Sequence, residues 1–267
     1  MTKLRVLSLF AGIGGMELGL ERTGGFETVA QCEIDPFCRK VLAKHWPHVK
    51  RYEDVRTLTA DALARDGIGV DVITGGFPCQ DISSAGYKVG IGGQRSGLWS
   101  EYSRLIGELR PSYVLVENVA ALLSRGLDVV LGDLAQIGYD AEWHCIPASA
   151  VGAPHQRDRV WIIANPNDQS KPVSAKYDET RGVQEAGNFI HAERRFVPLG
   201  LHLGRIGRFS QPLPWDRVWE GENSPLGLGM VDGVPQRLDR LRSLGNAVVP
   251  QIPELIGRAI LEARRTA

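Results

Sequence analysis

The first structured unit of the chain reads LRVLSLFAGIGG, residues 4–15. Its first half is almost entirely apolar, as in a buried strand, and it ends in three closely spaced glycines. A helix-like amphipathic stretch follows at residues 16–22. Glycines between a first strand and a first helix let the backbone approach a ligand closely, and the helix N-terminus attracts negative charge. The sequence therefore predicts either a ligand-binding turn or a plain tight turn here.

Strand-like and helix-like stretches go on alternating to about residue 165. We predict strands at 4–10, 28–34, 49–52, 70–74, 113–119 and 159–164. We predict helices at 16–22, 36–45, 99–109 and 127–137, the second of them with Asp35 as N-cap and Pro36 at its first position. Alternation at this spacing predicts an α/β fold with a mostly parallel sheet covered on both faces.

The composition changes after residue 165. Residues 166–236 are rich in Gly, Pro, Ser and charged side chains and show no strong period. A long structureless loop is uncommon inside a compact domain, so we predict a small irregular domain or a large insertion. Periodic sequence returns near residue 237 and ends in a helix at about 253–265.

Bulk composition excludes several classes of protein. The 267 residues carry no net charge at pH 7, which argues against a protein that coats nucleic acid by electrostatics alone. No apolar run reaches the ~20 residues needed to span a bilayer, and Met1 leads directly into a strand-like run, so we expect no signal peptide. The four cysteines show neither zinc-ligand spacing nor a disulfide framework. We expect a cytoplasmic protein with reduced thiols and no metal.

A second glycine-rich loop, GGFPCQDIS at residues 75–83, contains a cysteine with an unusual setting. Cys79 follows a proline directly, at the end of an apolar strand. Packing alone asks only for a small apolar side chain, whereas a nucleophile needs an exposed sulfur in a fixed direction. The loop predicts a reactive thiol, although so short a match can also arise by chance.

Two carboxylates end the second and third predicted strands. An acid in the position of Glu33 typically binds ribose hydroxyls, and Asp54 is placed to accept a hydrogen bond from an adenine amino group. The chain has no Gly-Lys-Ser/Thr phosphate loop. Together these features favour S-adenosylmethionine over ATP, with ordinary capping or surface carboxylates as the alternative.

A third acid, Glu117, ends the apolar strand at 113–116. A buried carboxylate is costly without a partner or a task, and this one lies at the same predicted sheet edge as Cys79. Arg157 and Arg159 alternate on an extended segment, so both guanidiniums are expected to face the site. A structural acid and a surface ion pair are the alternatives.

Taken together, these segments closely resemble the DNA (cytosine-5) methyltransferase family of bacteria and their phages. The matching positions run in the family's order: 10–15, 33, 54, 76–80, 117–119, 157–159 and 245–249. One departure is His155, where the family usually has Gln. The resemblance implies a Rossmann-like S-adenosylmethionine-dependent methyltransferase sheet with a small irregular target-recognition domain. Residues 1–165 and 237–267 would form the catalytic and cofactor-binding domain, and 166–236 the target-recognition domain.

The resemblance also implies a reaction. A methyl group would pass from S-adenosylmethionine to C5 of a flipped-out cytosine in duplex DNA, through a covalent Cys79–C6 adduct. A restriction endonuclease acting on the same site is a candidate partner, and a monomer suffices. Three alternatives remain: the same chemistry on a structured RNA such as transfer RNA, a non-catalytic DNA-binding protein, and a nicotinamide dehydrogenase, whose glycine spacing differs and which leaves Cys79 without a role.

The resemblance further implies three sets of site residues. The catalytic residues would be Cys79, Glu117, Arg157 and Arg159. The cofactor would contact Phe10, Ala11, Gly12, Ile13, Gly14, Gly15, Glu33, Ile34, Asp54, Val55, Gly76, Pro78, Leu98, Asn246 and Ala247. Nucleic acid would contact Gln80, Ser83 and Asn118. Because the family's last helix returns to the cofactor domain, Asn246 and Ala247 are expected beside Phe10 and Gly12.

Overall fold

A computed structural model of the protein describes residues 2–78, 97–167, 243 and 245–266. Within these residues one sheet contains seven strands in the order β3-β2-β1-β4-β5-β7-β6. Strands β1 to β5 pair in parallel, and β7 runs antiparallel between β5 and β6. The strands are β1 (Leu4–Leu9), β2 (Phe26–Cys32), β3 (Lys50–Tyr52), β4 (Val72–Gly75), β5 (Tyr113–Val119), β6 (Tyr139–Pro147) and β7 (Asp158–Pro166).

Helices cover the sheet on both faces. They are α1 (Gly15–Arg22), α2 (Pro36–His45), α3 (Ala60–Arg65), α4 (Leu98–Leu109), α5 (Leu122–Arg125), α6 (Leu127–Ile137) and α7 (Gln251–Thr266), with a 3₁₀ turn at Ala148–Val151. The predicted α/β fold with a mostly parallel sheet is confirmed. So is the cap of α2, where the Asp35 carboxylate accepts from the N–H groups of Phe37 and Cys38 at 2.8 and 3.1 Å. The sequence-based expectations did not include α3, α5 or β6.

Two buried clusters lie on opposite faces of the sheet. One joins Leu7 and Ile73 to apolar side chains of α4 and α6, and the other joins Val6 and Val72 to those of α1 and α7. Neighbouring strand residues point to opposite faces, so a strand covered on both sides needs apolar residues throughout. Accordingly, four of the six residues of β1 are apolar and buried, while Arg5 is exposed.

The closing segment of the chain, residues 245–250, returns to α1. A Cβ on Gly15 would lie 2.5 Å from the carbonyl oxygen of Val248, and one on Gly19 would lie 2.2 Å from that of Pro250. Glycine therefore permits a backbone approach that other residues would block. This approach brings residues 247–250 against the start of α1, next to the turn at residues 10–15, called the glycine turn below.

No helix within the described ranges is long and apolar enough to cross a membrane. Nearly all of the predicted target-recognition region, residues 166–236, lies outside those ranges.

Candidate active site

Within the described part of the chain, most of the predicted site residues gather at the carboxyl edge of the sheet. The glycine turn, Glu33, Asp54 and the segment 76–78 directly follow β1, β2, β3 and β4 or come within two residues of them. Because β7 is antiparallel to β5, its first residues lie at this same edge: Arg159 is in register with Val119. The strand order therefore brings together residues that are far apart in the sequence.

The glycine turn and Glu33 are joined by hydrogen bonds. The N–H groups of Gly12 and Asp35 donate to the two Glu33 carboxylate oxygens at 2.7 and 2.8 Å, and each oxygen keeps further accepting capacity. Gly12 has a φ of 56° with open space where a side chain would stand. Phe10 also has a positive φ, 52°, which is uncommon for a residue with a side chain. Ile34, beside Glu33, is 63% exposed.

Asp54 has a local partner that its sequence position did not indicate. Its carboxylate accepts from the Arg56 guanidinium, with Nη2 to Oδ2 at 2.6 Å, and from the Arg56 backbone N–H at 3.0 Å. These hydrogen bonds lower the pKa of the Asp54 carboxyl. Val55, next in the chain, is 4% exposed and packs into the core. An ionised carboxylate thus stands at the sheet edge on a turn anchored by Val55.

Glu117 forms a mostly buried ion pair. Arg159 Nε lies 2.8 Å from Glu117 Oε1, and the Arg159 and Glu117 side chains are 19% and 12% exposed. Burial raises the pKa of the Glu117 carboxyl, and the guanidiniums of Arg159 and Arg157 oppose this shift only in part. A Cβ on Gly76 would lie 2.7 Å from Glu117 Oε2. Glycine at position 76 thus allows the carboxyl to lie directly against the segment that leads to Cys79.

Asn118, predicted to contact nucleic acid, is buried, and its side chain binds the protein backbone. Its Nδ2 donates to the carbonyl oxygen of Phe77 at 2.9 Å, and its Oδ1 accepts from the N–H of Val119 at 2.9 Å. The Phe77 ring packs against Trp99, with 5.2 Å between ring centroids. Buried amides need hydrogen-bond partners, and this one braces the chain two residues before Cys79.

Arg157 and Arg159 reach different partners. Arg157 has a φ of 40°, so it departs from the extended alternation that would point both side chains one way. Its guanidinium donates to the carbonyl oxygens of Gly245 and Ala247 at 2.6 and 3.0 Å. Arg157 therefore ties the closing segment to the start of β7, a contact that the sequence did not predict.

The closing segment lies close to the second half of the glycine turn. Ile13, Gly14, Gly15, Arg157 and Ala247 all line one cavity of about 730 Å³. Leu98, at the start of α4, packs against the buried cluster on the α4 side of the sheet. Three predicted residues, Cys79, Gln80 and Ser83, lie outside the described residues.

Comparisons with known proteins identify the family of the chain. A family model described as C-5 cytosine-specific DNA methylase matches residues 4–194. The chain is 36% identical over 185 residues to the Type II methyltransferase M2.BsuMI of Bacillus subtilis (strain 168), covering 66% of this chain and 46% of that protein. It is 38% identical over 178 residues to the Type II methyltransferase M.Eco47II of Escherichia coli, covering 64% of this chain and 42% of that protein.

A solved structure extends the similarity in fold. The Entamoeba histolytica methyltransferase EhMeth matches with a TM-score of 0.62 over 98% of this chain and 99% of its own, and at 14% identity this shows the fold alone. The chain spans about half the length of the two curated relatives. The family model, in contrast, matches well over half of the chain. The protein therefore belongs to the C-5 cytosine-specific DNA methylase family.

Proposed function

We propose that the protein is a DNA (cytosine-5) methyltransferase. It transfers a methyl group from S-adenosylmethionine to C5 of a cytosine flipped out of a specific duplex DNA sequence. The observation that carries this proposal is the mostly buried Glu117–Arg159 pair, in which Glu117 lies against Gly76 at the segment leading to Cys79. Family membership supports cytosine as the substrate base.

The glycine turn and its neighbours fit S-adenosylmethionine. Glu33 is fixed by two backbone N–H groups and can still accept hydrogen bonds from ribose hydroxyls. The exposed side chain of Ile34 offers an apolar surface to an adenine ring, and Asp54 can accept from its amino group. When bound, the cofactor supplies the methyl group. The remaining residues of the predicted cofactor set complete this site in the proposal.

The proposed chemistry begins with Cys79. Its thiolate adds to C6 of cytosine, the Sγ–C6 bond forms, and the electron pair of the C5–C6 double bond shifts into the ring towards N3. Glu117, as a carboxylic acid, donates its proton to N3 and accepts from the exocyclic amine. C5 becomes nucleophilic and takes the methyl group, whose bond to the cofactor sulfur would break, so that S-adenosylhomocysteine would be the leaving group. A water-mediated base then removes the C5 proton, the freed electron pair re-forms the C5–C6 double bond, and the Sγ–C6 bond breaks to return the Cys79 thiolate. N3 gives its proton back to Glu117, which restores the starting state of both side chains.

The surroundings of Glu117 suit this role. A general acid works best when its pKa lies near the working pH, and burial raises the pKa of this carboxyl. Arg159 orients the carboxyl through the 2.8 Å contact and stabilises the carboxylate that remains after proton transfer. The neutral Glu117 carboxyl can donate a proton, and the carboxylate that remains keeps Arg159 as its partner.

Access to the base and choice of sequence belong to other parts of the chain. A base stacked in a duplex cannot reach Cys79, so the target must be flipped out. We assign target recognition to residues 166–236, and DNA contacts to Gln80 and Ser83. A monomer suffices for this reaction, and a restriction endonuclease acting on the same sequence remains a predicted partner.

Sequencing of methylated cytosines tests the proposal directly. DNA from a host expressing the protein would be compared with DNA from a host expressing Cys79→Ser at the same level. We expect methylation at one short motif, lost in the variant because a hydroxyl is a much weaker nucleophile than a thiolate.

The contrary outcomes separate the alternatives. Absence of methylated cytosine from DNA in both hosts would contradict the proposal, and purified protein would then be assayed with labelled S-adenosylmethionine on transfer RNA. Label in RNA would support the RNA substrate. Binding of the cofactor with no label in either nucleic acid would support the non-catalytic reading.

A further inference from the structure

Arg104, in the middle of α4, uses three guanidinium nitrogens in four contacts. Nε and Nη1 lie 2.7 Å from carboxylate oxygens of Glu101 and Glu108, on neighbouring turns of the same helix. Nη2 donates to the backbone carbonyl oxygens of Val55 and Leu58 at 3.1 and 2.8 Å. The two carboxylates fix the orientation of the guanidinium plane. Its Nη2 edge therefore points to the segment after β3.

A second contact fastens the same segment to α4. Glu108 accepts from the backbone N–H of Ala60, the first residue of α3, at 3.0 Å. Val55 and Leu58 are 4% and 1% exposed and belong to the buried cluster that includes α4 residues. Three backbone atoms of residues 55–60 are thus bound by side chains of one helix.

This segment begins where the adenine is proposed to bind. Asp54 and Val55 are proposed cofactor contacts, and Arg104 binds the carbonyl group of Val55 itself. Leu98, another proposed contact, is the first residue of α4. The arginine therefore fastens the turn after β3 to the middle of the helix whose first residue is Leu98.

We propose that Arg104 is a positioning residue that holds Asp54 and Val55 at the adenine end of the cofactor site. Arg104 acts through the backbone of the turn and does not touch the cofactor. Arg104 is needed here because a planar guanidinium can bind two carboxylates and two carbonyls at once, whereas a lysine ammonium has only three donors on one atom. This inference rests on the proposed function.

The test compares Arg104→Met with Arg110→Met. Met keeps the apolar stem and removes every donor. Arg110 follows the same helix, but its guanidinium binds the Ile137 carbonyl and lies 5.0 Å from the centre of the Tyr139 ring, away from the turn. Calorimetry would measure the Kd of S-adenosylhomocysteine and of adenosine for the wild type and both variants.

We expect Arg104→Met to raise both Kd values about tenfold, because the charge-assisted hydrogen bond from the adenine amino group to Asp54 is lost when the turn is no longer held. Arg110→Met should leave both Kd values unchanged. In methylation assays Arg104→Met should raise KM for S-adenosylmethionine and leave kcat unchanged at saturating cofactor. If Arg104 only stabilised the fold, its loss would lower the melting temperature and the active fraction without raising KM for S-adenosylmethionine. Unchanged Kd values in a folded Arg104→Met protein would overturn the inference.

A double-mutant cycle with Asp54→Ala tests the route of the effect. If Arg104 acts through the turn, removing it should cost little more cofactor affinity in the Asp54→Ala background, because the positioned contact is already lost. Full additivity of the two losses would contradict the inference. Should Arg104→Met fail to fold, Arg104→Lys, which keeps the charge with fewer directed donors, takes its place with the same criteria.

The inference and the proposed function fail in different ways. A wild-type protein that binds neither S-adenosylhomocysteine nor adenosine contradicts the proposed cofactor. A wild-type protein that binds both and methylates DNA, with unchanged Kd values in the Arg104 variants, contradicts only the positioning role.

Discussion

Glu117 lies where two opposing influences meet. Burial favours its neutral form, while Arg159 and Arg157 favour its ionised form, and burial dominates. Removing one partner of a buried ion pair usually costs stability as well as function. A useful substitution must therefore keep the contact with Arg159 and remove only the acid, and glutamine meets both conditions.

We predict that Glu117→Gln lowers the rate of methyl transfer at least about 100-fold, because its amide cannot protonate N3 of cytosine. The side-chain oxygen can still accept from Arg159, so the fold should be retained. Single-turnover methylation with saturating DNA and cofactor measures the rate, and the Kd of S-adenosylhomocysteine is the control and should stay at the wild-type value. A variant that methylates at the wild-type rate would remove Glu117 from the proposed chemistry.

The sequence predicted the positions of the site residues better than their partners. Glu33, Asp54 and Glu117 end strands, and the ends of parallel strands meet at one edge of a sheet, so their proximity follows from local pattern. The partners are non-local: Asn118 binds a carbonyl 41 residues away, and Arg157 binds carbonyls 88 and 90 residues away. Hydrogen bonds across such separations depend on the assembled sheet, which no local spacing encodes.

At the scale of elements, α1 and the closing segment are held together by close backbone contact. Gly19 in α1 faces Pro250, Pro253 and Glu254, and its Cβ would meet each of them at 3.0 Å or less. In an ordinary helix interior, replacing glycine by alanine is stabilising, by about 0.5–1 kcal/mol. At Gly19 the added methyl group has no room, so the sign should reverse.

We predict that Gly19→Ala destabilises the protein by about 1–3 kcal/mol, the usual cost of overpacking, and weakens cofactor binding because the closing segment carries Asn246 and Ala247. Matched controls are Gly107→Ala in α4 and Gly132→Ala in α6, where nothing lies within 4 Å of the added atom. Both controls should leave stability unchanged or raise it. Urea unfolding of all three variants gives the comparison, and a stabilised Gly19→Ala protein would refute the close contact.

Elements with a strong local signal were predicted well. The bounds of α2, α6 and β5 are those expected from their caps and apolar patterns. β6 was missed because, among the described residues, this edge strand pairs with β7 alone and carries polar residues such as Asp140, Glu142 and His144. α3 has six residues and too few turns to show a period. Edge position and short length remove the periodic apolar signal on which such predictions depend.

At the scale of the whole molecule, one buried acid connects folding to pH. Glu17 of α1 is 0% exposed and accepts from the Gln31 side chain of β2 at 3.3 Å. Burial is the main cause that raises the pKa of its carboxyl from 4.5 to about 7, with a small contribution from Glu21, while Ser8 and Gln31 oppose the rise. The folded protein therefore holds a proton on Glu17 that the unfolded chain gives up at lower pH.

The sign of the resulting stability change follows from linkage. Below about pH 4.5 Glu17 is protonated in both the folded and the unfolded state, and its contribution to the free energy of unfolding is intact. Between pH 4.5 and 7 only the unfolded state loses the proton. The free energy of unfolding therefore falls as pH rises, by about 3 kcal/mol in total. We predict that Glu17→Gln abolishes this fall, because glutamine keeps the shape without the titration. Urea unfolding from pH 5 to pH 8 tests this: other titrating groups are shared, so the difference between wild type and variant isolates Glu17. Parallel curves would show that Glu17 ionises at its ordinary pKa in the folded protein.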